Sequence, residues 1–198
     1  INLIPRFYDA TSGEVLVNGI NVLDYKVKDL RNLAAIASQK AALFKGTIQD
    51  NITYGSPIID QERMDMALDI AKADFVKDLE QGLDSMVAQG GSNFSGGQKQ
   101  RISIARALYK NAPIIIFDDT FSALDYKTDM LVRKKIKENL KDTTVIIIAQ
   151  RIGTIMNADN IIVLDEGKII GMGTHKQLLK SCSLYQEIAL SQLSKEEL

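Results

Sequence analysis

Residues 114–125 read IIIFDDTFSALD. Ile114, Ile115, Ile116 and Phe117 form an unbroken apolar run of strand length, which ends in two adjacent carboxylates, Asp118 and Asp119. A strand with one wet face alternates apolar and polar residues. A continuous run indicates cover on both faces, the habit of parallel sheets flanked by helices. The pattern recurs in LAAIAS, from Leu33 to Ser38, and in TTVIIIAQ, from Thr143. EVLVNG, around Val15 to Val17, reads as a further short strand. NIIVLDEGKIIGMG, from Asn160, reads as a hairpin that turns at Asp165, Glu166 and Gly167.

Helices are expected between the strands. DMLVRKKIKENL brings Met130, Leu131, Ile136 and Leu140 near one stripe with charges opposite. THKQLLKSC begins at Thr174, a good N-cap residue. From about Gly46 to Asp84 the periodicity is helical and no strand-like run occurs, which predicts an all-helical insertion in an α/β domain.

Composition bounds the function. The chain has 198 residues, 45% hydrophobic and 25% charged, as in ordinary globular domains. A net charge of −1 gives no electrostatic basis for capturing nucleic acid. The single cysteine, Cys182, excludes an intrachain disulfide and fits a reducing compartment. No apolar run approaches the roughly 20 residues that a membrane-spanning helix needs. INLIPRFYDA has neither the basic start nor the apolar core of a signal peptide, and it lacks an initiating Met, as a piece of a longer protein would.

Four stretches could carry chemistry. NFSGGQKQRISIARAL, Asn93 to Leu108, sets Ser95, Gly96 and Gly97 before a helix whose apolar stripe is Ile102, Ile104, Ala105 and Leu108. Small residues at a helix start let an anion reach free N–H groups at the positive end of the dipole. SGG alone equally suits a serine cap with a turn. The apolar strand that ends in Asp118 resembles a Walker B element, which implies a carboxylate that holds magnesium beside phosphates and, at Asp119, one that orients or deprotonates a water. An acid pair after a strand also serves as a helix cap. Gln39 and Gln150 each come after a predicted strand and offer both a donor and an acceptor to a metal, a water or a phosphate oxygen. Either alone also reads as a surface glutamine.

The order is more informative than the pieces: Gln39, SGGQ at Ser95 to Gln98, IIIFDD, SALD at Ser122 to Asp125, then a strand before Gln150. Along essentially its whole length the chain resembles the nucleotide-binding domain of ABC transporters. LFKGTIQDNITYG and GTHKQLL are similar to the exporter type. The resemblance implies a P-loop NTPase-like (RecA-like) α/β core with a mostly parallel sheet, about residues 1–40 and 106–198, and an all-helical subdomain, about 41–105.

The same resemblance implies ATP and Mg²⁺ as cofactors. Ser95, Gly96, Gly97 and Gln98 correspond to the signature, Gln39 to the Q-loop glutamine, Asp118 to the Walker B metal holder, Asp119 to the acid after it, and Asp125 to the D-loop. Gln39 and Asp118 are the implied metal-side residues. Implied partners are a second such domain in a head-to-tail dimer and transmembrane domains with their coupling helices, at the cytoplasmic face of a membrane, expected to be a prokaryotic plasma membrane. Neither a nucleic acid nor a disulfide partner is expected.

Three features depart from the family pattern. No G-x-x-x-x-G-K-[ST] string occurs. INLIPRFYDATSGEVLVNG resembles the tail of the helix that normally succeeds that loop, so the P-loop is expected ahead of Ile1, and these residues alone should bind ATP poorly. Asp119 stands where the family has glutamate, with a side chain one methylene shorter. Gln150 stands where the family has the switch histidine and cannot become cationic. The one histidine, His175, is expected to pack or to cap a helix start. An intact signature with a weakened acid and switch resembles the degenerate subunit of a heterodimeric exporter. Alternatives are a competent homodimeric exporter and a regulatory clamp without transport. LFKGTIQDNI, similar to the surface that receives coupling helices, argues against the clamp.

Overall fold

The computed structural model describes residues 1–194. Contacts divide the chain into two compact units, Ile1–Ile148 and Ala149–Leu198.

In the first unit, Ile1 to Phe7 forms hydrogen-bonded turns rather than the helix tail expected there. Pro5 cannot donate the bond a helical turn would require of it. β1 (Leu16–Val17) and β2 (Ile20–Asn21) pair antiparallel across Asn18 and Gly19, both at positive φ as a tight two-residue hairpin demands. α1 (Val27–Asn32) leads to β3 (Ala34–Ala37).

The next segment is mostly helical. β4 (Gly46–Thr47) leads directly into α2 (Ile48–Ile52), and α3 (Gln61–Ile70) comes after it. Thr47 and Asp50 close a capping box at the start of α2. The stretch from Gly46 to Asp84 opens on a strand, β4, which pairs antiparallel with β5 (Met86–Val87) just past its end and so clips the two ends of the stretch together. Pairs of two residues are too short to leave an alternating pattern in the sequence.

α4 (Gly96–Tyr109) buries the expected stripe, Ile102, Ile104, Ala105 and Leu108. β6 (Ile114–Asp118) then enters the middle of a parallel sheet ordered β3, β6, β7, where β7 is Thr144–Ile148. Ile115 and Phe117 of β6 join the main core with Ala35, Ala37 and residues of α2, α3 and α4. Ile114 packs against the small cluster of Val17, Val22 and Leu30. This two-sided cover is what the unbroken apolar run required. β7 is half-buried although its sequence is as apolar, and among the described residues it pairs with β6 alone.

α5 (Tyr126–Asn139) differs in phase from its sequence reading. It buries Asp129, Val132 and Ile136, while Met130 is exposed. Asp129 pairs with Arg133 at 2.6 Å on the same helix, and Lys135 reaches Asp69 of α3. A buried, paired acid on the inner face is invisible to a hydrophobic count.

The second unit holds α6 (Ile152–Ile155) and the hairpin of β8 (Ile161–Asp165) and β9 (Lys168–Gly173). Glu166 and Gly167 turn it at positive φ, as expected from the sequence. α7 (His175–Ser181) starts with a capping box of Thr174 and Gln177, and α8 (Ser183–Gln192) completes the unit's helices. Ile152, Ile161, Val163, Leu178 and Tyr185 form the core of this unit. His175 packs there, its Nδ1 2.8 Å from the Tyr185 hydroxyl. Among the described residues no helix is long and apolar enough to cross a membrane.

The phase of α5 is testable. Ile136→Ala should cost about 2–5 kcal/mol, as for a buried aliphatic truncation, whereas Met130→Ala should stay within about 0.5 kcal/mol. Chemical denaturation of the two variants distinguishes the observed inner face from the one the sequence suggested.

Candidate functional site

The parallel register pairs Ala37 with Phe117, so β3 and β6 leave the sheet at the same end. Two residues further along each chain path stand Gln39 and Asp119. The Gln39 side-chain amide donates to Asp119 Oδ2 at 2.7 Å, joining positions 80 residues apart in sequence. Asp118 is the last residue of β6, immediately before this pair. Asp119 itself has φ 45° and ψ 28°, in the left-handed region, and its N–H donates to the Ile148 carbonyl at 2.9 Å. Aspartate tolerates that backbone better than most residues.

The turn after Asp119 is anchored from below. The hydroxyl of Thr120, fully buried, donates to the Ala37 carbonyl at 2.6 Å. The Ser122 hydroxyl donates to the Asp119 carbonyl at 2.7 Å. Asp125 caps α5 by accepting from the Thr128 N–H at 3.0 Å. Its hydrogen bonds to Thr128, with Arg101 nearby, hold its carboxyl below the usual carboxylate range.

At the start of α4, Ser95 and Gln98 form a capping box. The Ser95 N–H donates to Gln98 Oε1 at 2.9 Å, and the Gln98 N–H donates to the Ser95 hydroxyl at 3.3 Å. Both side chains are therefore engaged within the chain. The glycines are not explained that way. A Cβ on Gly96 would meet nothing within 4 Å, and one on Gly97 would make only an ordinary 3.7 Å contact with the Ala123 carbonyl. Both sit in a helix, where glycine costs about 1 kcal/mol relative to alanine. The open space over Gly96 leaves the first-turn N–H groups approachable from outside. Gly97 also brings the helix start beside the SALD turn.

Gln150 lies in the second unit, two residues beyond the end of β7, and its carbonyl accepts from Gln192 Nε2 at 3.0 Å. Among the described residues no group of three or more His, Cys, Asp or Glu could hold a metal. The side-chain oxygens that Asp118 and Gln39 carry are of the kind Mg²⁺ takes when it draws its remaining ligands from phosphate and water, its usual mode.

One cluster escaped the sequence reading. Asn51, 1% exposed, donates to the carbonyls of Phe44 and Thr47 and accepts from the Phe44 N–H and from Arg106. Arg106 also donates to the Asn51 and Ala42 carbonyls and stands 5.2 Å above the Phe44 ring. Burial pushes its guanidinium below its ordinary pKa. On the outside of this network Phe44 and Tyr54 stack at 4.7 Å, exposed by 47% and 65%. NITYG gave only a weak hint, an asparagine inside a helical pattern.

The family model for ABC transporters matches residues 1–122. The chain belongs to the ABC transporter family. An ABC transporter ATP-binding protein of Mycobacterium tuberculosis is 45% identical over 196 residues, covering 97% of this chain and 33% of that protein. The ATP-dependent lipid A-core flippase of Photobacterium profundum is 43% identical over 189 residues, covering 94% of the chain and 32% of the flippase. A putative multidrug export ATP-binding/permease protein of Staphylococcus aureus is 41% identical, with coverages of 95% and 33%. Among solved structures, a bacterial Atm1-family ABC exporter with ATP bound superposes with a TM-score of 0.93 at 38% identity, over 98% of this chain and 34% of that one. This ABC domain thus spans about a third of the length of these relatives. The fold is the P-loop NTPase-like α/β fold of that exporter's nucleotide-binding domain.

Asn51→Ala strips four hydrogen-bonding partners at once and leaves Arg106 without its side-chain acceptor. It should cost about 3 kcal/mol, by the logic of buried polar networks. Thermal unfolding against the parent checks this, with Tyr54→Ala, on the exposed side of the stack, as the near-neutral control.

Proposed function

We propose that this chain is the ATP-binding domain of an ABC exporter that acts as a heterodimer, with a weak site of its own and an intact signature serving the partner. The observation that carries the ATP-site part of the reading is the Gln39–Asp119 hydrogen bond, which would join the Q-loop glutamine to the acid after Walker B at the exit of adjacent parallel strands; the shorter acid and the uncharged Gln150 carry its weakness. The open approach to Gly96 supports a role for the α4 start in contacting a phosphate held by another domain. In this reading Ser95, Gly96, Gly97 and Gln98 face the γ-phosphate on the partner, Asp118 and Gln39 stand on the Mg²⁺ side of the chain's own nucleotide, and Asp125 belongs to the dimer-facing D-loop. Mg²⁺ bound with ATP would neutralise phosphate charge.

Asp119 is the weak point. General-base catalysis is typically worth about 10²–10⁴-fold, and a carboxylate one methylene short forfeits part of that. Gln150, uncharged, stabilises developing negative charge less than a cationic histidine. The relatives named as a flippase and a multidrug export protein support export as the direction of transport. The exposed Phe44–Tyr54 stack supports a docking surface for coupling helices of transmembrane domains, in keeping with a position at the cytoplasmic face of a membrane. A homodimer in which Asp119 serves as a competent base is the second reading, favoured by the proximity of Asp119 to Gln39.

Two variants of the full-length transporter decide between them. Asp119→Glu with Gln150→His should raise ATP turnover at saturating ATP by about tenfold or more if the site is weakened. Unchanged turnover supports the competent homodimer. Ser95→Arg should suppress hydrolysis at the partner's site by blocking the phosphate approach, and unimpaired turnover would remove the signature assignment.

A further inference from the structure

The segment that bears Gln39 is strung along α4 by side chains of that helix. Gln100, 1% exposed, donates its amide to the Ser38 carbonyl at 2.9 Å. Arg106 donates to the Ala42 carbonyl at 2.8 Å, and Lys110, at the helix C-cap, donates to the Ala34 carbonyl at 2.8 Å. Carbonyls before and after Gln39 are thus both held by α4. The carbonyl preceding Ser38, that of Ala37, is held by Thr120 from the turn that carries Asp119. The Gln39 side chain spans to Asp119 itself. A continuous path therefore runs from the start of α4 through Gln100, Ser38 and Gln39 to Asp119. Gln100 lies three residues past the end of the SGG stretch, on the first turns of the helix that opens at Gly96.

We propose that Gln100 is a positioning residue for Gln39: its amide makes the place of Gln39, and hence the Gln39–Asp119 pair, track the start of α4. Occupancy of a phosphate at Gly96 and Gly97 then alters the geometry of the chain's own acid through one buried hydrogen bond. This rests on the assignment of Gln39 and Asp119 to an ATP site. The physical basis is economy of freedom. A buried amide that would otherwise lose its partner holds its acceptor carbonyl firmly, and the next residue inherits that restraint. Thr120 holds the carbonyl just before that of Ser38, so two successive carbonyls ahead of Gln39 are each gripped by a buried side chain.

The test uses Gln100→Met, which keeps the volume and removes the donor, in the full-length transporter with the partner's own catalytic acid neutralised, so that the turnover read is that of this chain's site. Small misplacements at reacting groups cost up to about 100-fold per 1 Å, so loss of this single restraint should lower kcat by about tenfold with KM for ATP little changed. The decisive comparison is a double-mutant cycle with Gln39→Ala. Gln100→Met added to Gln39→Ala should cost nothing further, because Gln100 then has nothing to position. Losses that multiply independently overturn the proposal and leave the site assignment standing. A Gln39→Ala variant with parental turnover removes the site assignment, and the proposal with it. Nucleotide-free hydrogen exchange gives a second readout: Gln100→Met should speed exchange within residues 38–45 and leave the peptide of α4 unaltered, and unchanged exchange at 38–45 overturns the strut. If Gln100→Met fails to fold, Thr120→Val removes the other grip. It should show the same absence of added loss with Gln39→Ala, with recovery in Thr120→Ser, and independent losses there count equally against the proposal.

Discussion

The parallel pairing of β3 with β6 is the constraint on which the site depends. Register aligns Ala37 with Phe117, and the loop leaving each strand inherits that alignment. Parallel neighbours end on the same side of a sheet, which is where ligands bind in open α/β folds. No local feature near Gln39 or near Asp119 brings them within 2.7 Å. The sheet does so, and the helices hold the sheet in place. Ile115 and Phe117 in the main core, with Ile114 against the smaller cluster, fix β6 from both faces. A slip of one residue would turn both strands inside out.

The regular elements were legible because their patterns are local. Unbroken apolar runs announced β3 and β6, a Gly-containing turn announced the β8–β9 hairpin, and Ser95 and Thr174 announced helix starts that the structure closes with capping boxes. Motif order placed Gln39 and Asp119 in one family pattern, but their direct hydrogen bond was not legible, since no spacing rule links residues 80 apart. On α5, pattern and structure part because a polar group is buried. Asp129 rather than Met130 faces inward there, because its ion pair with Arg133 makes an acid tolerable.

The hidden part of the site is polar and long-range. Asn51, Gln100 and Thr120 are all nearly or wholly buried, yet each is an ordinary polar letter within a helix or turn. Gln100 and Thr120 bond to backbone carbonyls on segments tens of residues away, and Asn51 to carbonyls of the loop before its own helix; none of these leaves a trace in sequence. Side chains that bond to backbone carry no complementary letter on the other side, so there is no pair to match. Arg106 shows the point most clearly. In the sequence it is one charge on an amphipathic helix, whereas in the structure it ties two main-chain carbonyls, a buried asparagine and an exposed aromatic ring into one unit.

Asp119 also carries a consequence for how such a site can change. Its backbone is left-handed, a conformation that short polar side chains tolerate and longer ones resist. The bend of the main chain is therefore itself a constraint on which residue can stand there. A glutamate there carries the same Cβ and so meets the same backbone cost, without the local hydrogen bonding that eases an aspartate into a left-handed turn.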